Sequence, residues 1–240
     1  MKVLIFNSGI GKRLGKLTEN NPKSLVKLDN GETIFHRQLR VLSSCGLKDF
    51  VITTGPFPEQ IKKVTEEFTD CHFEFVHSDK YASTNYIYSM YLAKDLFDDD
   101  FITLHGDLVF NKELVEMVLK DKHPSTCLFN PDLPLPEKDF KCRLNGDYLK
   151  EVSIHIFGEG CYTFQPLYKL SKETLLKWSD KVTEFVESGN DQVYAENAMN
   201  EISDTLDIFA LNYCKHYINE IDDVADLSRV SREIEEYENR

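Results

Sequence analysis

The chain has 240 residues, of which 41% are hydrophobic and 29% charged, values of a folded globular protein rather than a disordered one. Its 28 Lys and Arg against 41 Asp and Glu leave a formal net charge of −13, which argues against nucleic-acid binding because that rests on basic surface. No apolar run approaches the roughly 20 residues of a membrane helix, so a cytoplasmic protein with no membrane partner is expected.

In chain order, Lys2–Phe6 is an apolar run that predicts a buried strand; it turns polar at Asn7, too soon for a secretory leader. Thr33–Ser44 has helical spacing, Asp49–Thr54 reads as a strand, and Pro58–Phe68 as a helix with proline near its start. His72–Val76 (strand), Tyr86–Phe97 (helix), Phe101–His105 (strand) and Asn111–Lys120 (helix, with Asn111 as N-cap) continue the alternation. Strands alternating with helices predict βαβ units, a parallel sheet, and ligands beyond the carboxyl ends of its strands. The second half changes character. Three prolines in Pro131–Pro136 mark a loop. Phe140–Leu144, Tyr148–Ile156 and Cys161–Phe164 read as strands, the first two joined by the turn Asn145-Gly146. Helices at Lys172–Val186 and Gln192–Glu201, a strand at Leu206–Leu211 and a charged last helix follow. The fold class predicted is α/β: a Rossmann-like, mostly parallel sheet flanked by helices, with a small antiparallel extension in the second half. A single domain over 1–240 is expected, with a nucleotide-binding core in 1–130 and an acceptor-binding part in 131–240 that also supplies a second metal ligand.

Charge is uneven. Residues 1–27 carry Lys2, Lys12, Arg13, Lys16, Lys23 and Lys27 against Glu19, so that segment is +5 and the remainder −18. A basic patch on an acidic protein suits a small polyanion. The six cysteines form no C-x-x-C pair and mostly sit in apolar stretches, as buried free thiols do. The first strand runs into Asn7-Ser8-Gly9-Ile10-Gly11-Lys12-Arg13-Leu14. Glycines there let backbone N–H groups face phosphate oxygens, Arg13 offers a planar fork, and Lys23, after Pro22, a point charge. Leu14 stands where a dinucleotide fingerprint needs glycine, and no P-loop sequence is present.

Gly9-x-Gly11-x-Arg13-Leu14 followed by Leu17-Thr18-x-x-x-Pro22-Lys23-x-Leu25-Val26 resembles the signature of the nucleotidyltransferases that join NTPs to sugar phosphates and related phosphates. The chain departs at Phe6-Asn7-Ser8, where that family carries Leu-Ala-Ala. Asp79-Lys80-Tyr81-Ala82-x-x-Asn85-x-x-Tyr88-Ser89-x-Tyr91-Leu92, Tyr194-x-Glu196-Asn197 and Glu220-Ile221-Asp222 are similar to a narrower branch. These are the small bacterial cytidylyltransferases acting on phosphocholine and related phosphates such as phosphoglutamine or aminoethylphosphonate. The resemblance implies CTP as donor, a small phosphorylated amine or amino acid as acceptor, pyrophosphate release, Mg²⁺ as cofactor, and a place in surface polysaccharide modification. It implies catalytic roles for Arg13 and Lys23, and nucleotide binding by Asn7, Ser8, Gly9, Gly11, Lys12, Asn85, Ser89 and Gly106. Asn85 and Ser89 also read as a helix cap and a helix face. By the same resemblance Asp107, after the strand Phe101–His105, holds the metal, with Asp222 as second ligand and Glu220 behind it; neighbouring Asp223 also reads as a helix cap. An acceptor with a cationic head needs aromatic faces and an acid; Phe140, Tyr162, Tyr194 and Glu196 are the candidates, with Arg143 for an acceptor carboxylate. Two alternatives stay open: a sugar-1-phosphate nucleotidyltransferase using UTP or dTTP, and a nucleotide-sensing module without catalysis. Sequence leaves the acceptor and the oligomeric state open.

Overall fold

A computed structural model describes residues 1–239. The first half alternates as its periodicity predicts. β1 (Lys2–Phe6) leads through the 3₁₀ turns Lys12–Thr18 and Lys23–Leu25 to α1 (Ile34–Ser44), capped by the Thr33 side chain. β2 (Asp49–Thr54), α2 (Pro58–Thr65), β3 (His72–His77), α3 (Tyr86–Ala93), β4 (Phe101–His105), β5 (Leu108–Phe110) and α4 (Lys112–Lys120) follow. β1 pairs in parallel with β2 and β4, and β2 with β3. β1, β2 and β4 are buried on both faces, whereas the edge strand β3 is only partly covered. Leu4 and Phe6 of β1 pack with Ile87 and Met90 of α3, while Val3 and Ile5 pack on the other side with Leu39 of α1 and Leu114 of α4.

The second half contains β6 (Thr126–Asn130), β7 (Lys141–Asn145), β8 (Tyr148–Ser153), β9 (Cys161–Leu170), α5 (Lys172–Glu187), α6 (Ala195–Glu201), β10 (Phe209–Asn212), β11 (Ile218–Glu220) and α7 (Val224–Glu238). One nine-stranded sheet runs β3-β2-β1-β4-β9-β6-β10-β8-β7, with β7 also pairing to β9. The sheet is therefore mixed: β9 lies antiparallel to β4, β6 and β7, and only β6–β10 is parallel in this half. The strands expected as a small extension are part of the main sheet. β9 also runs six residues beyond the expected end at Phe164, through Pro166. The pairing with β6 shifts register between Cys127 and Leu128, opposite Tyr168 and Gln165, so the proline sits at the bulge and no ladder N–H is missed.

β5 and β11 form a separate antiparallel ribbon, with Leu108 opposite Glu220. Asn111 holds the N-cap position of α4, as expected, but makes no side-chain cap bond; its side-chain oxygen accepts from Tyr217 N–H and its amide donates to Glu113, which pins the ribbon. Among the described residues no helix is long and apolar enough to cross a membrane. Trp178 is buried and donates to Ala195 O at 2.9 Å, and Cys127, Cys142 and Cys161 are buried free thiols.

Candidate active site

The loop after β1 is held from below by hydroxyls. Asn7 N–H donates to Thr53 Oγ1 at 2.9 Å, and Ser8 Oγ lies 2.5 Å from Ser89 Oγ and 3.2 Å from Thr53 Oγ1. Two glycines fix its path. Gly11 has φ +70°, and a Cβ there would meet Lys23 Cβ at 2.9 Å. Gly55, which follows β2, passes so close that a Cβ would lie 2.3 Å from Ser8 O. The loop floors a cleft of about 710 Å³ at the carboxyl ends of β1 and β4. A ligand of a mixed α/β sheet belongs at such a strand end.

Acids from three separate segments converge there. Asp107 follows β4, Glu220 ends β11 with Asp222 two residues on, and Asp139 comes from the loop before β7. Ligating atoms of His105, Asp107 and Glu220 lie within 4.8 Å of one another, as do those of Asp139, Glu220 and Asp222. Lys23 Nζ donates to Asp107 Oδ2 at 2.5 Å and to Asp222 Oδ1 at 2.6 Å, and Arg13 Nη2 stands 2.7 Å from Asp222 Oδ2. Burial opposes charge on both Asp107 and Lys23, but their attraction outweighs it: the carboxyl is held below its ordinary pKa and the ammonium above its own. Burial and the charges of Asp107 and Asp222 push Glu220 well up. Buried oxygens Asp107 Oδ1 and Glu220 Oε1 have no hydrogen-bond partner among the described residues. Unpartnered carboxylate oxygens aimed into an acid cluster fit a hard divalent cation. Asp223 is not a competitor: its side chain accepts from Ala225 and Asp226 N–H and caps α7.

Ser8, Gly9, Arg13, Asn85, Ser89, Asp107, Phe140, Tyr194, Glu220 and Asp222 all line this cleft, and Lys23 is bonded to two of them. Asn85 also caps α3, so its two readings coexist. Asn7 is buried behind the loop and Gly106 N–H donates to Phe6 O at 2.9 Å, so both shape the floor; Lys12 is exposed and outside the lining. Three expected acceptor residues lie elsewhere. Arg143 is on the solvent face of β7, paired with Glu151 at 3.0 Å, because strand alternation turns Cys142 inward instead. Tyr162 lies off the lining, its ring edge-on to Phe129 at 5.4 Å. Glu196 is 1% exposed and accepts from the hydroxyls of Tyr86 and, at 2.8 Å, Tyr168. Sequence reasoning missed Tyr86, His105 and Asp139. Each was adjacent to a chosen residue: His105 to Gly106, Asp139 to Phe140 and Tyr86 to Asn85.

A family model described as the MobA-like NTP transferase domain matches residues 3–131. The chain belongs to that family. Choline-phosphate cytidylyltransferase of Streptococcus pneumoniae is 34% identical over 102 residues, 42% of this chain and 43% of the relative. CTP:phosphoglutamine cytidylyltransferase of Campylobacter jejuni is 27% identical over 128 residues, 51% and 49% of the two chains. The chain thus spans about half the length of these relatives. Against 2-aminoethylphosphonate cytidylyltransferase of Lancefieldella rimae it is 23% identical over 227 residues, 94% and 89% of the chains. The solved structure of CTP:phosphocholine cytidylyltransferase from Streptococcus pneumoniae superposes with TM-score 0.80 at 24% identity, covering 97% of this chain and 98% of that one, which establishes a shared fold.

Proposed function

We propose that the chain is a Mg²⁺-dependent cytidylyltransferase that moves CMP from CTP to a small phosphorylated amine or amino acid and releases pyrophosphate. The observation that carries it is one cleft holding a glycine loop, the Lys23–Asp107–Asp222 cluster and an aromatic wall of Phe140, Tyr194 and Tyr86. Relatives that act on choline phosphate, phosphoglutamine and aminoethylphosphonate support CTP and the acceptor class. The nucleotide-binding part in 1–130 and the acceptor part in 131–240 work as a single domain in the cytoplasm.

In this reading the N–H groups of the loop 9–11 face the nucleotide phosphates, and Ser8, Asn85 and Ser89 border the nucleoside end of the cleft. Arg13, with its side chain 55% exposed, turns its fork from Asp222 to the β- and γ-phosphates that leave. Mg²⁺, held by Asp107 and Asp222 with Glu220 beside them, would supply charge neutralisation at the reacting phosphates. Lys23 exchanges its carboxylates for those same oxygens. The acceptor's phosphate oxygen attacks the α-phosphorus in line, the bond to the β-phosphate oxygen breaks, and pyrophosphate takes the electron pair. A phosphate monoester is largely ionised at pH 7, so alignment and charge neutralisation suffice without a general base. A cationic head would meet the aromatic wall with Asp139 and Glu137, which line the cleft where Glu196 does not; Lys138 and His155 lie there for a carboxylate.

The test is pyrophosphate release with CTP, UTP, dTTP, GTP and ATP, each against phosphocholine, phosphoglutamine, 2-aminoethylphosphonate and glucose 1-phosphate, with and without Mg²⁺. Turnover confined to CTP, an aminated acceptor and Mg²⁺ is expected. Turnover of glucose 1-phosphate with UTP or dTTP and none with aminated phosphates would overturn the acceptor class. No turnover alongside nucleotide binding would point to a sensing module.

A further inference from the structure

The acceptor-side wall rests on a lysine that does not line the cleft. Lys141 opens β7 and is 0% exposed. Its ammonium donates to the main-chain carbonyls of Pro136 at 2.8 Å and Asp139 at 2.9 Å, and sits 4.2 Å from the centre of the Phe157 ring. Burying an ammonium on neutral acceptors is costly, and an apolar side chain would fill the same space more cheaply. What the charge does accomplish is to tie two loops. Residues 131–140 bring Glu137, Lys138, Asp139 and Phe140 to the cleft, and residues 154–160, which carry Phe157, bring Ile154 and His155. Three prolines stiffen the first loop without attaching it, and Thr163 Oγ1 adds one bond, to Pro134 O at 3.1 Å. The bond to Asp139 O acts on the very residue whose carboxylate lies within 4.8 Å of Glu220 and Asp222. Phe140, next in sequence, has its ring 4.9 Å from that of Tyr194.

We infer that Lys141 is a positioning residue that couples the two acceptor-side loops through the carbonyls of Pro136 and Asp139 and the ring of Phe157, and thereby fixes the wall that selects the acceptor. The link to the acceptor rests on the function proposed above; the coupling of the loops does not. Three variants test it: Lys141→Met, which keeps the length and removes the charge; Phe157→Leu, which removes the ring at a half-exposed position; and Phe157→Tyr, which keeps it. Amide hydrogen exchange on the free chain should rise at least about tenfold in both 131–140 and 154–160 for Lys141→Met, rise in both for Phe157→Leu, and stay near wild type for Phe157→Tyr. For whichever of phosphocholine, phosphoglutamine or 2-aminoethylphosphonate the wild type turns over, Lys141→Met should raise the acceptor KM about tenfold while the CTP KM stays within about twofold. Unchanged exchange, a rise in one loop alone, or identical behaviour of the two Phe157 variants overturns the coupling. Acceptor and CTP KM values that rise together, or an unchanged acceptor KM, overturn the positioning role. A wild type that turns over no acceptor refutes the proposed function and leaves the exchange experiment to decide the clamp. Should Lys141→Met fail to fold, the Phe157 pair carries the same outcomes.

Discussion

Lys23 is a catalytic candidate and the counter-ion of two metal-ligand candidates at once, a relation visible only in three dimensions. Its partners Asp107 and Asp222 lie 84 and 199 residues away along the chain. Lys23→Met should lower kcat about 10²- to 10³-fold, the range for losing one electrostatic donor at a reacting centre, with a smaller effect on CTP binding. The same variant leaves two acids facing each other, so its melting midpoint should fall without Mg²⁺ and recover in excess Mg²⁺. Wild-type turnover would remove Lys23 from the mechanism, and absent recovery would separate it from the metal site. Asp107→Asn, nearly isosteric, should abolish Mg²⁺-dependent activity and weaken Mn²⁺ binding in calorimetry while the fold persists; unaltered Mn²⁺ binding would refute its ligand role. Glu196 shows where residue-level reading stops. Its motif was visible, but its direction depends on the hydroxyls of Tyr86 and Tyr168. Glu196→Gln should therefore cost about 1–3 kcal/mol of stability, roughly 2–4 °C of melting midpoint per kcal/mol, and shift acceptor kinetics only through Tyr86. A selective rise in acceptor KM with unchanged melting would return Glu196 to the acceptor site.

At the scale of elements, long periodic segments were legible and short ones were not. α1 and α5 follow from apolar spacing, and the Asn145-Gly146 turn from Gly146 taking φ +60°. The three-residue strands β5 and β11 carry no period of their own; they exist because each satisfies the other's backbone and because Asn111 ties Tyr217. That ribbon matters more to the site than its size suggests, since it sets Asp107 against Glu220 through the bond from Ile221 N–H to Asp107 O at 3.1 Å. The end of β2 acts likewise on the glycine loop. Gly55→Ala would place a Cβ 2.3 Å from Ser8 O, against main chain that cannot swing aside. The CTP KM should rise at least about tenfold, equivalent to about 1.4 kcal/mol, with the acceptor KM unchanged. Steady-state kinetics in both substrates decides it, and an unaffected CTP KM would show that the loop does not need this close approach.

For the molecule as a whole, the α/β class was legible from alternation, whereas the mixed sheet was not, because pairing partners far apart in sequence leave no local trace. The seam between the halves is β9. It is inserted between β4 and β6, and it reaches residue 170 before it is complete. A fragment of residues 1–130 would hold β4 with one edge open and β6 without either of its neighbours, β9 and β10. Such edges template other chains, so that fragment should elute as aggregates in size-exclusion chromatography while the 240-residue chain does not; a well-behaved monomeric fragment would show that the N-terminal half closes its own sheet. The same seam imposes a timetable on synthesis. Between the end of β6 at Asn130 and the end of β9 at Leu170 lie 40 residues, which a ribosome adds in roughly 2–8 s at about 5–20 residues per second. Through that interval the nascent glycine loop and Asp107 are already made, but the strand that joins their half of the sheet to the rest is not. Chaperone capture, if it acts on this chain, has its window there.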